Sequence, residues 1–133
     1  MTVLLTLILG LIAAIHALWG RQIWVPIRDE EQLARTVVGA KGVTRMPGAI
    51  PCFLVFAGLM VIIAALWMPQ MLLARLVLWG AFAVFVLRGG IAYTRFWRQI
   101  TPEEPFASYD SKFYAPLCLA IAAGLLIILL GGS

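Results

Sequence analysis

Four stretches of the chain are apolar at nearly every position, and short polar stretches divide them. They cover residues 3–20, 47–67, 72–93 and 113–130, each close to the about 20 residues that a helix needs to cross the hydrocarbon core of a bilayer. The prolines respect these limits: Pro26, Pro69, Pro102 and Pro105 fall in connections, while Pro47, Pro51 and Pro116 fall in first turns, where a missing N–H costs least. Tryptophans mark the ends. Trp19, Trp24 and Trp97 sit at one set and Trp67 and Trp79 near the other, as two interfacial belts would place them.

The connections carry their own signals. In DEEQLARTVVG, Asp29 is a helix N-cap candidate, Glu30 and Glu31 suit the positive end of the helix dipole, and Gly39 provides a stop. A short interfacial helix is expected there, with Leu33, Val37 and Ala40 on one face laid against the membrane surface. The last connection, TPEEPFASYDSK, contains two prolines and is expected to be irregular.

Composition turns this pattern into a class. The 133 residues are 63% hydrophobic and 12% charged, too apolar for a soluble domain, which averages about 45–50% apolar. The expected fold is all-α: an integral membrane four-helix bundle forming a single transmembrane domain over residues 1–133. The bilayer is its first partner. The net charge of +4 arises without a dense basic run, so a nucleic-acid partner is not expected.

The basic residues carry topology instead. Five of them (Arg21, Arg28, Arg35, Lys41, Arg45) lie between spans one and two, three (Arg95, Arg98, Lys112) between spans three and four, and Arg75 alone between spans two and three. Eight against one places the first and third connections in the cytoplasm and both termini outside. No basic residue precedes the first apolar run and Arg21 follows it, so this run reads as a retained span rather than a secretory signal. The expected location is a bacterial cytoplasmic membrane.

Depth follows from the rise of about 1.5 Å per helical residue: His16 lies about 7 Å from the level of Arg21, and Arg88 about 10 Å from the level of Arg95. Cys52, Tyr93, Asp110, Tyr114 and Cys118 fall at the same end of their spans. The candidate ligand-binding residues are therefore His16, Arg88, Asp110, Tyr114 and Tyr93. A guanidinium inside a span costs at least about 2.5–3.5 kcal/mol unless it is paired or wet. Arg88 accordingly reads either as a holder of an anionic or carbonyl group, or as a snorkelling or salt-bridged structural residue. Asp110 and Tyr114, four apart, would share one helical face, with Asp110 as a partner for Arg88 or His16. The two cysteines form no CxxC pair, and with His16 they lack metal-ligand spacing. With a single histidine the chain also lacks a second axial haem ligand, so no metal or cofactor is expected.

The stretch from Phe106-Ala107 through Asp110 and Tyr114 to Pro116-Leu117-Cys118 resembles the last-helix signature of small bacterial membrane proteins grouped as domain-of-unknown-function family 3995. His16 with Trp19, Trp24 near Pro26, Leu33 to Val37-Val38-Gly39, Met46-Pro47 and Leu87-Arg88-Gly89 follow in the same order as in that family. The resemblance spans nearly the whole chain and implies a four-helix membrane protein with no established activity. Many relatives carry an acid shortly after the arginine, whereas Gly90 to Arg95 contains none. Asp110 thereby becomes the candidate partner.

Three functions fit these residues: binding of a small amphipathic or lipid-like ligand in a cytoplasm-facing polar pocket; an accessory role in a homo-oligomer or larger membrane complex; and a membrane enzyme with His16 and Asp110 as acid and base. The topology is tested with reporters. Alkaline phosphatase fused after Ser133 is expected to be active; an inactive fusion would reverse the depth assignments.

Overall fold

A computed structural model of the protein describes residues 1–131; the C-terminal Ser133, expected outside the membrane, lies outside the described residues. Four helices are long and apolar enough to cross a membrane: α1 (Thr2–Gly20), α3 (Ala49–Leu66), α4 (Leu72–Ile91) and a continuous helical stretch from Phe106 to Leu129. Short helices α2 (Glu30–Val37) and α5 (Arg95–Ile100) lie in the connections. The last stretch has three parts: α6 (Phe106–Tyr109), a π-helical turn (Asp110–Tyr114) and α7 (Ala115–Leu129).

The main helix contacts pair α1 with α3 and α4 with α7, and α3 with α4 joins the two pairs. The core sits between them. Leu5, Leu9 and Ala13 of α1 repeat every fourth residue along one face and meet Leu59 and Leu66 of α3, Leu78 and Ala81 of α4, and Ile121, Leu125 and Leu129 of α7. Only 22% of the residues in the apolar windows of α1, α3 and α4 are buried inside the protein. Some of the others pack partly against this core, and Leu4, Leu7, Leu11 and Leu87 are exposed, an apolar surface of the kind that lipid tails cover. At the end formed by the α3–α4 turn, the Trp67 indole donates to Thr6 Oγ1 at 3.1 Å and Arg75 donates to the Leu129 carbonyl at 3.0 Å. The second bond satisfies an orphan carbonyl at the end of α7.

The connections at the other end differ from expectation in two ways. First, α2 does not lay its apolar face open to lipid. It is capped as expected, Asp29 accepting from the Glu31 N–H, but Leu33 and Ala34 are fully buried in a second small core with Met46, Trp19, Trp24 and Val38. The connection is long enough to fold back over its own helix, and Glu30 pins the return by accepting the Met46 N–H at 3.1 Å. Second, the last connection is mostly helical. Thr94 caps α5 by accepting from the Trp97 N–H, and the chain is helical again from Phe106, so the fourth span begins seven residues before the expected 113. Pro105 stands at the N-cap, where its missing N–H interrupts nothing. Only residues 101–105 stay irregular.

The two connections are joined to each other. The Lys41 N–H donates to the Ile100 carbonyl and the Glu103 N–H to the Gly39 carbonyl, both at 3.1 Å. Arg35 pairs with Glu103 at 3.0 Å. Gly39, the stop after α2, has φ of +69°, and a Cβ there would lie 2.0 Å from the buried Phe106 ring. Gly42 shares the positive φ, +72°, but faces open space. Gly42→Ala therefore costs only the backbone strain, about 1–2 kcal/mol, whereas Gly39→Ala adds about 1–3 kcal/mol of overpacking against Phe106. Thermal melting in detergent should rank Gly39→Ala clearly below Gly42→Ala; equal losses would mean that Phe106 does not lock the two connections together.

Candidate functional site

The polar centre of the molecule is Asp110. Its side chain has no exposure, and both oxygens are occupied: Arg88 Nη2 donates to Oδ1 at 2.8 Å, while the Trp97 indole, at 2.7 Å, and Arg98 Nη2 donate to Oδ2. Three elements place these groups. Gly89 lets α4 approach α7 so closely that an added Cβ would lie 2.6 Å from Leu119, which brings the neighbouring Arg88 to the start of the last helix. The Thr94 cap starts a helix that carries Trp97 and Arg98 together. The π turn then delivers Asp110, its carbonyl accepting from the Ala115 N–H five residues on.

Each guanidinium also lies over an aromatic ring, Arg88 at 4.9 Å from Trp97 and Arg98 at 5.7 Å from Phe106. Arg98 donates further to the Ala107 carbonyl at 2.9 Å and to Thr101 Oγ1 at 3.3 Å. Two cations share one anion. The nearby acids of the connection contact other groups, Glu103 meeting Arg35 and Glu104 the Ser108 hydroxyl, and the three side chains of the cluster taken by themselves carry one formal positive charge in excess. Arg88 Nη1 and Arg98 Nε are buried without hydrogen-bond partners.

A cavity of about 260 Å³ adjoins this cluster. Arg88 and Trp97 form one side; His16, Cys52, Val55 and Phe106 are among the others. His16 stacks edge-on against Trp19 at 4.9 Å, and its Nδ1 lies 2.8 Å from the Ile12 carbonyl oxygen. A second, more polar hollow lined by Trp24, Glu30 and Arg45 shares Trp19, Met46 and Pro47 with the first.

The five candidate residues therefore separate. His16 and Arg88 line the cavity, whereas Asp110 stands behind Arg88 and is absent from the lining. Tyr114 is not a link in the Arg88–Asp110 pair. Its hydroxyl donates to the Thr36 carbonyl at 2.9 Å, because the wider π turn breaks the four-residue register that would have stacked it under Asp110. Tyr93 is exposed and donates to the Ser111 carbonyl at 2.8 Å, bracing α4 against the last helix. Trp97, Arg98 and Phe106 are the residues that sequence reasoning missed. Trp97 and Arg98 carried only the interfacial and topological signals of their types, and the one available clue was the Thr94 cap that starts their helix. Cys52 and Cys118 are free thiols, and among the described residues no group of three or more His, Cys, Asp or Glu is placed to hold a metal.

Fold and cluster together define a multi-pass membrane protein: four apolar helices built around one buried, arginine-bound aspartate. The chain belongs to the family described as protein of unknown function (DUF3995), whose model matches residues 9–125. That range holds α3 and α4 entirely, most of α1 and of the last helix, and every residue of the Asp110 cluster. No curated protein matches the chain, and no solved structure does.

Removing Asp110 leaves two cations facing each other in a buried site, whereas removing Arg88 leaves the carboxylate held by Arg98 and Trp97. Asp110→Ala is therefore expected to destabilise by about 3–5 kcal/mol and Arg88→Ala by less. In a double-mutant cycle read by melting in detergent, the two changes together should cost less than their sum, by about 1 kcal/mol or more. Additive losses would show that the ion pair contributes nothing to stability.

Proposed function

We propose that this protein lies in the cytoplasmic membrane of a bacterium with both termini outside, and that it binds a small amphipathic or lipid-like ligand in the cavity beside Arg88, at the cytoplasmic end of the bundle. The eight-to-one distribution of basic residues supports the orientation. One observation carries the binding reading: Arg88 is 31% exposed although its partner Asp110 has no exposure, and it lines the cavity. Arg98, bound to the same carboxylate, is 29% exposed as well but does not line this cavity, so the lining position rather than the exposure singles out Arg88. Here one donor serves the carboxylate, and the side chain still borders open space.

The remaining walls set the ligand's character. Val37, Val38, Val55, Pro51 and Phe106 are apolar, so a bound molecule must be apolar apart from the part that meets Arg88 and His16. At about 260 Å³ the cavity falls below the range of about 300–1,000 Å³ typical of drug-sized ligands. It suits a head and a short apolar portion. Val55 is exposed as well as lining, which lets a longer tail continue into lipid. Catalysis by His16 with Asp110 draws less support, because Asp110 sits behind Arg88 with both oxygens engaged.

Native mass spectrometry of the protein extracted in mild detergent tests the reading. Wild type should retain a co-purified small molecule, and Val55→Trp, which fills the cavity without touching the ion cluster, should lose it while melting as wild type does. The same adduct on Val55→Trp would place the molecule on the outer surface and overturn the proposal.

A further inference from the structure

Most polar atoms around the cavity are already engaged. The Trp19 indole donates to the Val25 carbonyl at 2.8 Å, the Trp97 indole to Asp110, and the Cys52 thiol is turned to the Pro47 carbonyl at 3.9 Å. His16 and Arg88 are different. A carbonyl oxygen can only accept, so the His16 Nδ1 that lies 2.8 Å from the Ile12 carbonyl carries the ring's proton. In the neutral imidazole Nε2 is then a lone-pair acceptor, and it makes no hydrogen bond with the described residues. Arg88 gives Nη2 to Asp110, its Nη1 is buried without a partner, and its side chain lines the cavity. The cavity thus offers one acceptor and one cationic donor within an otherwise apolar or engaged lining.

We infer that this cavity takes the carboxyl group of an apolar monocarboxylic acid, a fatty acid in chemical class, with His16 Nε2 accepting from its O–H and Arg88 donating to its other oxygen; the inference rests on the binding reading above and adds the chemistry of the head. Groups that only accept fit one side alone. A quinone carbonyl or an ester would satisfy Arg88 but set its own lone pairs against Nε2, and an ionised phosphodiester brings no proton of its own for Nε2 to accept. An alcohol can serve both sides, yet it has one oxygen to do so and brings no charge. A carboxyl group has a donor and an acceptor on two oxygens of one carbon, and it can exploit the excess positive charge of the Arg88–Arg98–Asp110 cluster. If the proton passes to Nε2, the acid's O–H bond breaks, the imidazole becomes an imidazolium, and the carboxylate remains opposite Arg88 with charge conserved. The tail leaves past Val55.

The test is a native mass-spectrometric titration of the purified protein with laurate, methyl laurate and dodecanol. Laurate is expected to bind about tenfold or more tighter than either analogue, since each leaves a buried group unsatisfied or a charge unmatched. His16→Ala should reduce the preference for the acid over its methyl ester while leaving the melting temperature near that of wild type, and Val55→Trp should abolish laurate binding. Equal binding of laurate and methyl laurate, blocked by Val55→Trp, would overturn the carboxyl inference and leave the binding reading standing. A preference for the acid that survives His16→Ala would remove His16 from the site and overturn the inference. Binding of laurate undiminished by Val55→Trp, or no binding of any of the three probes, would overturn both.

Discussion

A carboxylate without access to water is the constraint around which the rest of this molecule is arranged. Burying Asp110 as an isolated anion would cost many kcal/mol, so it is stable only with its lone pairs filled by charged or polar donors. Arg88, Arg98 and Trp97 supply them from two different elements. To deliver those donors, α4 must run against α7 as closely as Gly89 permits, the last connection must form a capped helix, and the chain must re-enter its final helix early enough to carry Asp110 inward. In lipid the arrangement has added weight. Apolar contacts between helices gain little over contacts with lipid tails, so polar contacts and close packing choose the helix neighbours.

The same cluster joins the connections to the bundle. Phe106 lies under Arg98 and against Gly39, Tyr114 reaches back to Thr36, and Arg35 holds Glu103. These contacts link α2 to the start of the last helix across more than sixty residues of sequence. The result is a protein cap over one end of the bundle, and the cavity lies between that cap and the spans, with Val37, Val38 and Phe106 from the cap and Val55 and Arg88 from the helices.

Much of this was legible in the sequence, and the rest was hidden for physical reasons. Uninterrupted apolar runs mark spans because no other structure tolerates them, so the four long apolar helices followed directly. Asp110 as the partner of Arg88 followed from the cost of an unpaired guanidinium. Which face of each span turns inward did not follow, because Leu4 and Leu5 are equally apolar while one faces lipid and the other is buried. Prolines misled in the last connection: Pro102 and Pro105 suggest irregular chain, yet Pro105 at an N-cap starts a helix as readily as it ends one. The Asp110–Tyr114 spacing misled too, since a π turn keeps the residue count and changes the angle. Tyr114 found a carbonyl 78 residues away, a contact that no local pattern encodes.

The charge balance of the cluster is what separates a purely structural ion pair from a site. One arginine would neutralise Asp110 and could be closed over completely, as a stabilising pair in lipid should be. Two arginines overshoot, and the second cation is tolerable only where its field meets a polar partner, an aromatic face or an incoming group of opposite charge. Arg98 reaches the Ala107 carbonyl, Thr101, Asp110 and the Phe106 ring, while its Nε has no partner and its side chain is 29% exposed. Arg88 has Asp110 and Trp97, and beyond them the cavity. Of the two arginines only Arg88 lines the cavity, with His16, whose Nε2 makes no hydrogen bond with the described residues. The binding proposal therefore rests on Arg88, which lines the cavity, and not on Asp110, whose two oxygens are already engaged.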